Sequence, residues 1–286
     1  MTVPDLRPAF PHAVPITSYT NAAQQLQLCD PELFEGCGYA TKDEAGILFT
    51  AAEKFGGDWL ELGSHTGWTG SHIILGGAAS YTGLDPEYSR ACFNKTKDPS
   101  KFLNRTRDNI KNAVGSLDRV TLLGVGSHEI MPQWINEEKK FDFIFVDANH
   151  DSPYPVVDAI LSDLVLKENG AVFFHDAIGA PVQAAVEYVR RKGYKIRVYD
   201  TAQIMAVAFK GSIELPPFEP STSYDWNGHM NSYVRNTDMN SLNLQIRQAE
   251  LYVDTLLLTS QTPVYQSQEE LRSSGSTLSE LGTQRW

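Results

Sequence analysis

Four acids stand where apolar stretches of this 286-residue chain break off: Glu61, Asp85, Asp147 and Asp176. A buried strand gains nothing from a carboxylate at its end, because an unpaired charge is costly away from water. In open parallel sheets, ligands bind outside the carboxyl ends of the strands, so acids gathered there point to a ligand. Glu61 runs into Gly63-Ser-His-Thr-Gly67, with Gly70 just beyond. Glycines let a small molecule approach bare backbone, and a helix beginning near Ser71 would turn its free N–H groups towards it. Counting on from Gly63, the next apolar run (Ala79 to Leu84) ends in Asp85, about the spacing at which such sheets present an acid to a ribose. Taken alone, the glycine turn reads equally well as a tight strand–helix connection.

The elements that must position these residues follow from periodicity. Thr41-Lys-Asp-Glu44 is a capping-box pattern. Ile47, Leu48, Ala51, Ala52 and Phe55 continue it at helical spacing, and Gly56-Gly57 ends the helix. A polar loop and a helix fill 86–114, and Val120 to Val125 is the next strand, closed by Gly126-Ser127. A short helix is expected around Met131 to Asn136. Phe141-Asp-Phe-Ile-Phe-Val-Asp147 then gives the strongest strand signal, suited to a parallel strand covered on both faces. A helix from Tyr154 to Leu166, stopped by Asn169-Gly170, leads to a strand from Ala171 to Phe174 that ends at His175-Asp176. A helix from Pro181 to Lys192 precedes two last strands, Lys195 to Tyr199 and Ile204 to Phe209. Strand and helix alternate, and then two strands come without a long helix between them. The pattern predicts an α/β, doubly wound, seven-stranded, mostly parallel sheet with an antiparallel edge.

Both ends differ from this body. Residues 1–39, rich in proline, read as an arm lying on the domain at 40–211. Residues 212–286 read as a linker, an amphipathic helix over Asn240 to Leu258 and a polar, serine-rich tail. Arm and helix together suggest a homo-oligomer, a dimer or larger.

A net charge of −11 without a Lys/Arg cluster argues against a nucleic-acid partner. Three cysteines (Cys29, Cys37, Cys92) without CxxC spacing argue against a disulfide framework or a cysteine zinc site, and read as structural. Neither a secretory signal nor a run of transmembrane length is present, so a cytoplasmic protein without a membrane partner is expected. Gly63 to Gly67 lacks the G-x-G-x-x-G spacing that would place a dinucleotide pyrophosphate.

Four stretches need a joint explanation: Glu61-Leu-Gly-Ser-His-Thr-Gly67, Gly83-Leu-Asp85, Phe141 to His150, and Phe173-Phe-His-Asp176. Together they resemble the class I S-adenosylmethionine-dependent methyltransferases, whose fold is Rossmann-like, over about residues 40–211. The resemblance implies that Glu61, Gly63, Ser64 and Gly67 form the cofactor loop. It further implies that Asp85 binds the ribose, that Ser127 lies at the adenine and that Asp147 borders the same pocket. Val146-Asp-Ala-Asn-His150, with Tyr154, Asp158 and Phe174-His-Asp176, is similar to a subgroup acting on small molecules and sugars. That subgroup is related to catechol O-methyltransferase and the macrolide-sugar enzymes. Its pattern implies that Asp147, His175 and Asp176 hold a divalent metal and that His150 is the general base. Asp147 and His150 would then be the catalytic pair. The subgroup usually has an acid where this chain has His175. Magnesium prefers oxygen, so besides Mg the set suits Mn, Fe, Co or Zn at least as well.

The expected activity is O-methylation of a hydroxyl on a sugar or natural-product phenol. Two other readings stand beside it: a metal-dependent hydroxylase using Asp147, His150, His175 and Asp176, and a non-catalytic cofactor-binding assembly module. His175 reads equally as a ligand or a structural histidine. His65 and His72 read as helix-facing or solvent-facing, and Trp68 as packing near the cofactor pocket. Trp226, Asn227 and His229 read as a packed tail, with a lid as the alternative.

Overall fold

Every apolar run read above becomes a strand, and alternate residues within it serve two different cores. The protein is described from a computed structural model, over residues 3–15, 28–33, 39–90, 98–217 and 238–260. Cys37, Cys92, Trp226, Asn227 and His229 lie outside those residues. Strands β1 (Val14–Pro15) and β2 (Leu28–Cys29) form a small antiparallel ribbon. The body then runs α1 (Lys42–Phe55), β3 (Asp58–Leu62), α2 (Trp68–Gly76), β4 (Ser80–Leu84), α3 (Pro99–Val114), β5 (Val120–Leu123) and α4 (Ser127–Asn136). It continues with β6 (Phe141–Val146), α5 (Tyr154–Val165), β7 (Leu166–Phe174), α6 (Ala180–Arg191), β8 (Lys195–Tyr199) and β9 (Met205–Phe209). Helix α7 (Met239–Thr259) is the last described element.

The sheet order is β5-β4-β3-β6-β7-β9-β8. The first five strands are parallel, and β9 lies antiparallel to both β7 and β8, giving the expected edge. Trp59, Phe143, Phe145, Phe173 and Met205 share one core with residues of α1 and α2. Their strand neighbours Leu60, Ile144, Val146, Val172 and Phe174 share the other with residues of α4, α5, α6 and α7. This period of two explains why β6 and β7 are apolar throughout, since both faces are covered. Leu6 and Phe10 pack on Tyr39, Ala45 and Trp68, so this part of the arm is seated on the start of α1 and α2. Leu242, Ile246, Ala249 and Val253 seat α7, as its apolar spacing predicts. Among the described residues no helix is long and apolar enough to cross a membrane.

The largest departures from the expected boundaries have local reasons. Helix α2 starts at Trp68 because Gly67 takes the left-handed conformation at its N-cap (φ 83°). Helix α4 starts at Ser127, since the Glu129 carboxylate accepts from the Gly126 N–H at 2.6 Å and organises the first turn there. Helix α5 ends at Val165, and β7 begins at once with Leu166. Asn169-Gly170 thus falls inside β7, at an irregularity between the pairs Phe141–Leu166 and Phe143–Ala171. The polar run Lys167-Glu168-Asn169 carries no strand periodicity, which hid the early part of this strand.

Helices α1 and α2 meet at Gly76, where an added Cβ would lie 2.4 Å from the Phe49 carbonyl oxygen and 2.8 Å from the Ala52 Cβ. Gly76→Ala should force the two helices apart and lower stability by about 1–3 kcal/mol, the usual cost of overpacking. Urea unfolding of both proteins checks this, and coincident midpoints would refute it.

Candidate functional site

The turn after β3 is laid onto its neighbours by backbone bonds. The Gly63 and Ser64 N–H groups both donate to the Leu84 carbonyl, at 2.9 and 3.1 Å. Gly63 has φ 87°, and a Cβ there would lie 2.1 Å from the Asp147 carbonyl oxygen, so only glycine lets this turn cross the end of β6. Ser64 is buried, its hydroxyl 2.9 Å from the Tyr88 hydroxyl. Asp85 is also buried. Its two oxygens accept from the His65 N–H (2.8 Å) and the Glu87 N–H (2.9 Å), so it braces both turns. Glu61 is wholly buried, and its oxygens accept from the hydroxyls of Thr69 on α2 and Tyr81 on β4. Ser127, at the first turn of α4, donates its hydroxyl proton to the buried Asp158 carboxylate.

The ends of β6 and β7 bring together the second group. Ligand-type atoms of Asp147, His150, His175 and Asp176 all lie within 4.8 Å of one another. Nδ1 of His175 is 3.1 Å from Asp147 Oδ1 and 3.2 Å from Asp176 Oδ2. Nε2 of His150 is 3.5 Å from Asp147 Oδ1 and 3.2 Å from Asp176 Oδ2. His175 is buried at 5% exposure, whereas the His150 side chain is 44% exposed. Asp176 has φ 54°, a conformation that costs a non-glycine residue free energy and gathers at functional sites. It is held there by its carbonyl accepting from the Gly179 N–H (2.8 Å) and by the next residue, whose N–H donates to the Ile204 carbonyl (3.0 Å).

One member was not legible in the sequence. Glu44, wholly buried on the first turn of α1, places Oε2 3.1 Å from Nε2 of His175. The capping box already accounted for Glu44, and no second signal marked it. The box itself forms: Oε2 accepts from the Thr41 N–H and hydroxyl, both at 2.7 Å. His72, read as helix-facing, is buried with Nδ1 2.9 Å from the Trp68 carbonyl. His65 too is largely enclosed, packed edge-on to Tyr39 and Phe102. Trp68 packs on Phe10 and Tyr39.

The electrostatics divide along the same line. Burial pushes Glu61 up to about 8, Asp85 to about 7 and Asp158 to about 7, against hydrogen bonds that pull each back. Burial would raise Glu44 as well, but the His175 ring and the Thr41 donors outweigh it and leave the acid at about 2. Asp147 is likewise pulled below the usual carboxylate range, its burial outweighed by His175 and His150. Burial opposes charge on both histidines, yet the surrounding carboxylates hold His150 above its ordinary value and His175 well above it. Burial lowers His65 to about 4, against the opposing pull of the Asp147 carboxylate.

The family model described as "Methyltransferase domain" matches residues 60–177. Among solved structures, the O-methyltransferase from Bacillus cereus in complex with SAH is 17% identical, with a TM-score of 0.46 over 60% of this chain and 83% of that one. Cofactor-bound Rv0187 from MTB is 16% identical, with a TM-score of 0.48 over 63% and 84%. The O-methyltransferase TomG from Streptomyces achromogenes, involved in tomaymycin synthesis and in complex with SAM, is 12% identical, with a TM-score of 0.45 over 60% and 82%. No curated protein matches the chain.

Asp85 gives the glycine loop a measurable signature. Its folded pKa of about 7 lies above the ordinary 3.8, so between those values the folded chain keeps a proton that the unfolded chain has lost. That contribution to stability is present at low pH and fades as pH rises through about 7. Asp85→Asn cannot titrate and should show a shallower fall in stability over this window. Urea unfolding across the same pH range reads it, and parallel curves for the two proteins would refute the assignment.

Proposed function

We propose that this chain, whose residues 60–177 match a family model described as a methyltransferase domain, is a class I S-adenosylmethionine-dependent methyltransferase that transfers the methyl group to a hydroxyl of a small molecule, a sugar or a natural-product phenol. The reading is of a metal-assisted O-methyltransferase with His150 as the general base. The observation that carries it is the convergence of Asp147, His150, His175 and Asp176 within 4.8 Å, next to the glycine loop.

The donor set fits a divalent cation. Nδ1 of His175 is buried between two carboxylate oxygens, yet it is aligned for a hydrogen bond with neither. Asp147, His175 and Asp176 would hold the cation, with Mg and Mn the first candidates and an imidazole ligand admitting Fe, Co or Zn. A divalent cation at that place lowers the pKa of a hydroxyl bound to it. Asp147 and Asp176 face Nε2 of His150, which leaves Nδ1 as the nitrogen open to a substrate proton. His150 would take the acceptor's hydroxyl proton as the methyl group is transferred, and S-adenosylmethionine would supply that methyl group and leave as the neutral thioether.

On the cofactor side, Gly63, Ser64 and Gly67 supply the close backbone approach, and Asp85 supplies acceptors for the ribose hydroxyls. Ser127 would border the adenine and Asp147 the same cofactor pocket, while Glu61, its oxygens held by Thr69 and Tyr81, braces the loop from beneath. Each Asp85 oxygen already accepts one backbone bond and keeps a second lone pair for a ligand. The reading extends to a cytoplasmic protein and to a homo-oligomer, the second supported by Leu244, Leu251 and Leu258, which stand exposed along α7.

Calorimetry with S-adenosylmethionine should detect binding, and no heat at millimolar ligand would refute the reading. With a candidate phenol or sugar, a chelator should abolish turnover, and added Mn or Mg should restore it. His150→Gln should lower turnover by about two to four orders of magnitude and leave cofactor affinity unchanged. Wild-type turnover in that variant would remove His150 as the base.

A further inference from the structure

We propose that Glu44 is a positioning residue for the cation site, holding Nε2 of His175 so that Nδ1 presents its lone pair between Asp147 and Asp176. The buried Glu44–His175 pair then takes the part of a third carboxylate ligand. The inference rests on the reading that Asp147, His175 and Asp176 bind a divalent cation.

Three carboxylates surround one imidazole. Glu44 Oε2 stands 3.1 Å from Nε2, while Asp147 Oδ1 and Asp176 Oδ2 stand 3.1 and 3.2 Å from Nδ1. A cation bound at the ring would displace one proton from the imidazolium, and the neutral imidazole then carries one proton and one lone pair. A proton on Nε2 meets the Glu44 carboxylate and leaves the Nδ1 lone pair facing the two aspartates. The opposite tautomer would aim that lone pair at the Glu44 oxygens, an arrangement with no attraction in it. The second partner of a ligating histidine sets which nitrogen binds metal and raises the ligand's basicity.

Glu44 is fixed without any help from the ring. Thr41 gives its N–H and hydroxyl to Oε2, and the Gln203 N–H, from the turn between β8 and β9, gives to Oε1 at 3.1 Å. Those donors leave the carboxylate no room to swing. The imidazole is the member that adjusts, and neither of its nitrogens is yet aligned for a hydrogen bond. A cation at Nδ1 would set the ring angle and complete the alignment of Nε2 with Glu44.

Full-length wild type, Glu44→Gln and Thr41→Ala, each stripped of metal, should be titrated with Mn²⁺ by calorimetry. The expected result is a loss of about 10- to 100-fold in Mn²⁺ affinity for Glu44→Gln. Thr41→Ala removes one of the donors that fix Oε2 but keeps the carboxylate beside His175, so its loss of affinity should be smaller than that of Glu44→Gln, and a larger loss would overturn the inference. Equal Mn²⁺ affinity in wild type and Glu44→Gln would overturn the inference and show Glu44 to be a cap alone. A second measurement needs no Glu44 variant. In wild-type protein loaded with Co²⁺, proton NMR should show a hyperfine-shifted, slowly exchanging Nε2 proton that is lost in His175→Gln. Coordination through Nε2, or no such proton, overturns the inference even if Glu44→Gln does not fold. Wild-type protein that takes up neither cation removes the reading beneath, and the inference falls with it.

Discussion

A buried imidazole among three carboxylates sets the terms for this fold. His175 is 5% exposed and Glu44 is wholly buried, so neither can lean on water for solvation. Unpaired burial of either charge would be costly, and breaking such a pair costs more than building none. Acids from the ends of β6 and β7 and from the first turn of α1 must therefore meet around one ring. A break in any of these supports leaves an uncompensated charge inside the protein.

The sheet delivers that meeting by carrying its ladder one step past the strand ends. The Asp85 N–H donates to Leu123, Gly63 to Leu84, Asp147 to Leu62 and His175 to Val146, each at 2.9–3.0 Å. Register inside the sheet is thus transmitted to the first residue of each loop, where the chemistry-bearing side chains sit. Gly63 adds a steric condition, since its bare Cα is what lets the β3 turn lie across the end of β6. The glycine loop and the carboxylate cluster consequently occupy one rim, and neither can shift without the other.

Most of this frame was legible because it rests on local periodicity. The near-continuous apolar run from Phe141 to Val146, the cap at Thr41 and the acids closing each run identify strands, helix and edge without tertiary knowledge. The antiparallel edge followed from two last strands coming without a long helix between them. What escaped depended on contacts remote in sequence. Glu44 lies 131 positions before His175, and its capping role hid its second one. The early half of β7 escaped because Lys167 to Gly170 span a shift in register and show no apolar alternation. Ser127 was read from the resemblance, yet its partner Asp158 emerges only when α4 and α5 pack side by side.

The position of Glu44 also bears on where the functional unit begins. The segment that matches the methyltransferase family, residues 60–177, contains every acid that closes a parallel strand. It omits α1, and with it the carboxylate facing the far side of His175. It also omits the β8–β9 turn, whose Gln203 N–H anchors that carboxylate. A boundary drawn at residue 60 therefore cuts through a single cluster of charges. Excised at that boundary, the domain would keep its recognisable motifs and lose the counter-charge on its central histidine.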